Sequence, residues 1–190
     1  MIKRGALPLL VATLVAGCGF LKPQQKAYYA LEAIPPAAPA AAVAGEPIGI
    51  GSVELPPGID RREIVIREAD QRLALRGREL WASPLEAMVV HALAFDLANR
   101  LPEGMVVLPG SLKPAGAMRS LYVIMETFDA GPGTTLVLDA RWSIGPVTPA
   151  STRRERIEIP LESLESPAIA EGMSRALGVL ADRIVRSLGV

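Results

Sequence analysis

The chain has 190 residues, with Lys+Arg and Asp+Glu balanced at 20 each, one histidine and one cysteine. That balance leaves neither the basic footprint that nucleic acid requires nor an acidic tail. Half of the residues are apolar but only 4% are aromatic, so a core must be built from Leu, Ile, Val and Ala, and the length suits one domain with one core.

Met1-Ile2-Lys3-Arg4 is a short positive opening, followed by an apolar run from Ala6 to Ala16 broken only by Pro8 and Thr13. The run has the length of a signal-peptide core and is too short to cross a bilayer as a stable helix. It closes on Val15-Ala16-Gly17-Cys18, an aliphatic residue, two small ones and the chain's one cysteine. This resembles the lipobox of bacterial lipoproteins, in which diacylglycerol is attached to the thiol and the signal is cut just before it. The expectation is a cleaved signal peptide over 1–17 and lipidation at Cys18, leaving a mature chain of 173 residues. A lone cysteine in an exported protein has no internal disulfide partner, and acylation accounts for it. Gly19 follows Cys18; in Gram-negative sorting Asp at that place retains a lipoprotein in the inner membrane, so its absence implies the outer membrane.

Residues 18–47 read as a lipidated tether, a first short strand within Lys26–Leu31, and an Ala/Pro-rich extended loop from Ile34 to Pro47. Such a loop has nothing with which to nucleate a core. A single globular domain is expected over 48–190. Ile48–Leu55 alternates with period two and predicts a strand, ended by Pro56-Pro57-Gly58. Ile64–Ile66 and Arg72–Leu75 predict two more, with Glu68–Gln71 as the turn between them. Ser83-Pro84-Leu85-Glu86 predicts a helix start with a capping box, running to about Leu101. Glu86, Asp96, Asn99 and Arg100 fall mainly on one arc of it, which predicts that the opposite face is the buried one.

Met105–Leu108 predicts a short strand. Ser120–Phe128 and Thr134–Ile144 predict a hairpin around Gly131-Pro132-Gly133, with Leu136, Leu138, Ala140, Trp142 and Ile144 on its buried side. A turn over 145–152 leads to Arg153–Pro160, an edge strand. Ser166-Pro167, a cap followed by Pro, opens a second helix whose stripe runs from Ile169 to Leu188, with Arg183 and Arg186 near the end that favours cations. The order predicts an α+β fold, a mostly antiparallel or mixed β-sheet with two amphipathic helices packed on one face.

No catalytic, cofactor or metal constellation is legible. His91 is the only imidazole, and Ala87 and Phe95 stand one turn either side of it, so no helical metal pair forms. Glu63 and Asp70 are not fixed face to face for acid–base work, and Gly49 and Gly51 lack the Gly-Lys-Ser/Thr of a phosphate loop. Trp81 and Trp142 read as packing residues rather than ligand platforms. Arg61-Arg62 and Arg153-Arg154 read as solvated charges, with contact to a partner protein as the other reading.

Several segments, in order, resemble one family. They are Tyr28-Tyr29-Ala30-Leu31; Gly51-Ser-Val-Glu-Leu-Pro-Pro-Gly-Ile-Asp-Arg-Arg-Glu-Ile-Val-Ile-Arg67; Arg72-Leu73; Trp81-Ala-Ser-Pro-Leu85; and Thr135-Leu-Val-Leu-Asp-Ala-Arg-Trp142. Beside the lipobox, this order is similar to that of the PqiC-like (YmbA-like) auxiliary lipoproteins of ABC-type transport. The resemblance implies a non-enzymatic role beside an MCE-domain protein that spans the periplasm and an ABC permease and ATPase. Such systems are thought to move phospholipids or other apolar compounds between inner and outer membranes. The Pro-rich segment 145–166 departs from the pattern. The rival readings are a structural lipoprotein of another envelope machine, such as a secretin pilot or a barrel assembly factor, and an envelope hydrolase that would have to use His91. A further expectation is a homo-oligomer formed by pairing along the exposed strand 153–159.

Overall fold

A computed structural model describes residues 25–36, 43–112, 116–146, 148 and 150–189. Among these residues eight strands and two helices follow in the order β1 (Ala27–Tyr29), β2 (Ile48–Glu54), β3 (Glu63–Arg67), β4 (Leu73–Trp81), α1 (Leu85–Ala98), β5 (Val106–Val107), β6 (Arg119–Gly131), β7 (Thr135–Ile144), β8 (Arg153–Pro160) and α2 (Ser166–Arg186). The class is α+β, and the sheet is mixed.

The spine is β6. Along one edge β7 pairs antiparallel from Leu121↔Ile144 to Gly131↔Thr135, and β8 adds antiparallel beyond β7. The other edge of β6 is shared: β2 runs parallel to its first half, and β3 meets it parallel at Ile66↔Ala130. β4 pairs antiparallel with β3, and β1 pairs parallel with β4. The parallel pairings come from segments far apart in sequence, which local alternation does not register.

Alternation fixes the faces. Leu121, Val123 and Met125 of β6 and Leu136, Leu138, Ala140 and Trp142 of β7 are buried against the helices. α2 supplies Ile169, Met173, Leu177, Leu180 and Ile184 to that core, the stripe expected of it. Trp81 is buried too. β2 bulges between Ile50 and Ser52. Gly51 is the extra residue, and a Cβ there would stand 2.8 Å from Cε1 of Tyr122. The Tyr122 ring lies over the space that glycine leaves open.

Both helix starts differ from expectation. α1 begins at Leu85 with Pro84 as its cap, and Ser83 makes no capping hydrogen bond. The first helical bond, Met88 N–H to the Pro84 carbonyl, leaves Ser83 one residue too far back. α2 is capped by Glu165 without a side-chain bond, and Ser166 is its first residue. The polar arc predicted for α1 is split: Glu86 and Asn99 are exposed, but Asp96 is 0% and Arg100 5% exposed. These two are enclosed because the chain that follows β1 crosses them.

Candidate functional site

Cys18 lies outside the described residues. What the structure shows is how the chain just beyond it is fastened. After β1, Leu31 is buried in the core. Glu32 N–H donates to the Ser174 hydroxyl at 3.1 Å, and Ile34 N–H donates to Asp96 Oδ1 at 2.8 Å. Arg100 Nη1 donates to the Ile34 carbonyl at 3.0 Å and to Asp96 Oδ1 at 3.1 Å, and its Nε donates to Asp182 Oδ1. Both backbone groups of Ile34 are thereby gripped by one buried acid–base pair. A loose loop was expected to begin at that residue. Gly178 of α2 lies against the strap, where a Cβ would meet Ile34 Cβ at 3.1 Å.

Burial pushes the Asp96 carboxyl up to about 6; the Ile34 N–H and Arg100 pull it down, and Asp182 adds to the rise. Its Oδ2 is buried without a hydrogen-bond partner. Desolvation therefore outweighs the nearby cation.

The sheet face away from the helices divides in two. Over β6, β7 and β8 it is laced with ion pairs. Arg154 spans Asp139 and Glu126 at 2.9 Å each, Arg141 holds Glu126 at 2.8 Å, and Arg156 reaches Asp139 at 3.6 Å. Hydrogen bonds from Arg154 hold the Asp139 carboxyl below its ordinary range. Arg67 of β3 grips Asp129 of β6 through Nε and Nη2.

Toward β2 the same face opens into a groove of about 210 Å³. Register builds it from two rows across three strands: Ser52, Tyr122 and Ser143, then Glu54, Ile124 and Arg141. Ser143 is 2% exposed, and its hydroxyl has no hydrogen-bond partner.

The residues weighed for chemistry are dispersed. His91 is exposed on α1 and packs its ring on Phe95 at 4.5 Å. Glu63 lies within β3, and Asp70 pairs with Arg72 in the following turn. Arg61 and Arg62 are exposed, and Arg153 lies over the Trp142 ring. Among the described residues no group of three or more His, Cys, Asp or Glu is placed to hold a metal ion, and no helix is long and apolar enough to cross a membrane.

Residues 29–185 match the family model described as "ABC-type transport auxiliary lipoprotein component". The chain belongs to this family. Two solved structures share the fold. One, a crystal structure of an uncharacterized protein, has a TM-score of 0.70 at 18% identity and covers 87% of this chain and 100% of its own. The other, a crystal structure of a Xanthomonas campestris protein, has a TM-score of 0.63 at 14% identity and covers 83% and 91%. None of the curated proteins compared with the chain matches it. The family match begins at Tyr29, inside β1, and so takes in the clasp on Ile34 and both rows of the groove.

The sequence reading missed the clasp, although its signal was there. Asp96 and Arg100 are an i, i+4 pair of opposite charge at the end of a helix otherwise rich in Ala, Leu and Val, and charges set among such apolar residues are candidates for burial. The groove had no such signal, because its rows exist only once β2 is laid along β6.

Proposed function

We propose that the protein is a non-enzymatic lipoprotein anchored in the outer membrane through Cys18, facing the periplasm. It acts there as an auxiliary component of an MCE/ABC-type system moving phospholipids or other apolar compounds between inner and outer membranes. The observation that carries this reading is the family match over residues 29–185, in a chain that also has the lipobox-like Val15-Ala16-Gly17-Cys18. The clasp supports it mechanically. A body hung from its N-terminus feels any pull on the anchor first at β1, a strand of three residues. The hydrogen bonds at Glu32 and Ile34 would spread that load into both helices.

The partners on this reading are a periplasm-spanning MCE-domain protein and the permease and ATPase of the same system. A second copy of the chain would add along β8, which pairs with β7 alone among the described strands; light scattering in detergent tests this, and a monomer refutes it. The main experiment is a mild-detergent pull-down of the lipoprotein from its own membranes, with Cys18→Ala as control. Co-recovery of an MCE-domain protein and an ABC permease with the acylated form is the expected result. Recovery of a secretin or an outer-membrane barrel instead, or of nothing, overturns the transport reading. His91→Ala should leave function intact, and its complete loss in a folded variant would favour an enzyme.

A further inference from the structure

The groove on the open sheet face differs from its surroundings. A few residues away Arg154 and Arg156 are tied to Glu126 and Asp139. In the groove, Glu54 is exposed at one end and has no ion pair among the described residues. At the other end Arg141 is paired through Nε with Glu126 at 2.8 Å, with its side chain 48% exposed. Between them lie the Tyr122 ring, seated over Gly51, Ile124 at 38% exposure, and the buried, unpartnered hydroxyl of Ser143. Register directs Ser143 to the same face as Tyr122 and Ser52, in the floor of the groove, with its hydroxyl covered from solvent.

A carboxylate at one end, a guanidinium at the other and an aromatic ring between them complement a small zwitterion. Glu54 and Arg141 stand two strand spacings apart, roughly 10 Å between Cα atoms, and both arms are long enough to lean inward. The volume of about 210 Å³ is below the roughly 300–1,000 Å³ of sites that enclose drug-sized ligands, so a headgroup fits and a whole lipid does not. We propose that this groove binds a zwitterionic amino-phosphate headgroup of the phosphoethanolamine type. The ammonium donates to Glu54 and lies near the Tyr122 ring, and the phosphate takes the half-exposed guanidinium of Arg141. The inference rests on the lipid-transport reading for the source of the headgroup.

The test is a titration of the mature acylated lipoprotein in phospholipid-free detergent micelles with glycerophosphoethanolamine and, separately, with glycerophosphoglycerol, which lacks the amine. The expected result is saturable binding with a preference for the first of about tenfold, the size of one charge-assisted hydrogen bond. Glu54→Gln should abolish the preference and leave glycerophosphoglycerol unchanged, while Arg141→Gln should weaken both. Glu54 is exposed, and Glu126 keeps Arg154 when Arg141 is replaced, so both variants should fold. No binding, equal binding of the two headgroups, or a preference that survives Glu54→Gln overturns the proposal. Repeating the titration in nanodiscs containing phosphatidylethanolamine separates the two sources. Competition by the bilayer assigns the site to a membrane headgroup, and unchanged affinity assigns it to the free zwitterion. The titration needs no transport partner, so it can fail while the pull-down succeeds, and the reverse.

Discussion

The carboxylate of Asp96 and the backbone of Ile34 are joined across 62 residues of sequence: Asp96 Oδ1 accepts the Ile34 N–H at 2.8 Å. Arg100, one helical turn on, donates to the Ile34 carbonyl at 3.0 Å. The strap between β1 and β2 is held by this pair, and the pair is enclosed by the strap.

Enclosure makes the clasp sensitive to pH in an uncommon direction for an acid. Folding raises Asp96 from 3.8 to about 6, so the folded state holds this proton more tightly than the unfolded chain does. Its contribution to stability is full below the unfolded value and is lost as pH rises through about 6. From pH 7.5 down to 5 the wild type should therefore gain stability, on the order of 1–2 kcal/mol from this group. Asp96→Asn keeps an oxygen for Ile34, and Arg100 keeps Asp182, so this variant should equal or exceed the wild type at pH 7.5 and lose the gain on acidification. Urea unfolding at a series of pH values reads both. A variant markedly weaker than wild type at pH 7.5 with an unchanged pH slope would mean that the carboxylate is stabilising as an ion.

Gly178→Ala tests the strap from the other helix. In an open helix the change would stabilise by about 1 kcal/mol. Here the added methyl would stand 3.1 Å from Ile34 Cβ and 3.3 Å from Arg100 Nη2, so either the strap or the guanidinium must move. The expected net effect is a loss of about 1–2 kcal/mol, with faster hydrogen exchange at the Ile34 amide. Gly77→Ala, where nothing lies within 4 Å, should change stability little. A gain of about 1 kcal/mol from Gly178→Ala would show that the strap yields freely.

The joint between β3 and β6 depends on Arg67 and Asp129. The ladder there is a single pair, Ile66↔Ala130, and Asp129 is 4% exposed while Arg67 binds it through two nitrogens. Arg67→Gln leaves a buried carboxylate without its cation and should cost about 3 kcal/mol. Asp129→Asn in the same chain should recover a good part of that loss. A double-mutant cycle by denaturant unfolding measures the coupling, and a coupling near zero would mark the pair as incidental.

What the sequence disclosed and what it hid follow one division, between local and distant information. The hairpin of β6 and β7, its buried side from Leu136 to Trp142, the edge strand from Arg153 and the stripe of α2 are all periodic over adjacent residues, so a reader of the chain sees them. The parallel seat of β2 on β6 pairs Val53 with Val123, seventy residues away, and no local period marks it. The groove inherits that difficulty because it is made of that register. Asp96 and Arg100 were misplaced for another reason. A charged arc on a helix ordinarily faces water, and only the strap crossing at Ile34 turns this one inward.

Ser166 shows how a correct local signal can carry the wrong physics. Ser-Pro at a helix start reads as a cap, yet the Ser166 hydroxyl donates to Glu79 Oε2 of β4, 87 residues away, and α2 has no side-chain cap. Glu79 also receives Arg76 at 3.0 Å, and the Ser166 hydroxyl is the largest cause holding its carboxyl below the ordinary range. An acid depressed in this way contributes stability that is present above its unfolded value of 4.5 and lost as pH falls through the lower folded value. Ser166→Ala should therefore cost about 1–2 kcal/mol near pH 7, and the difference from wild type should shrink as pH falls below the unfolded value of 4.5 and Glu79 takes up its proton. A capping serine would lose its bonds to backbone amides, which do not titrate, so its substitution would cost the same at both pH values. A constant cost across the acid range would accordingly restore the cap and remove Glu79 from the account of how α2 is fastened to the sheet.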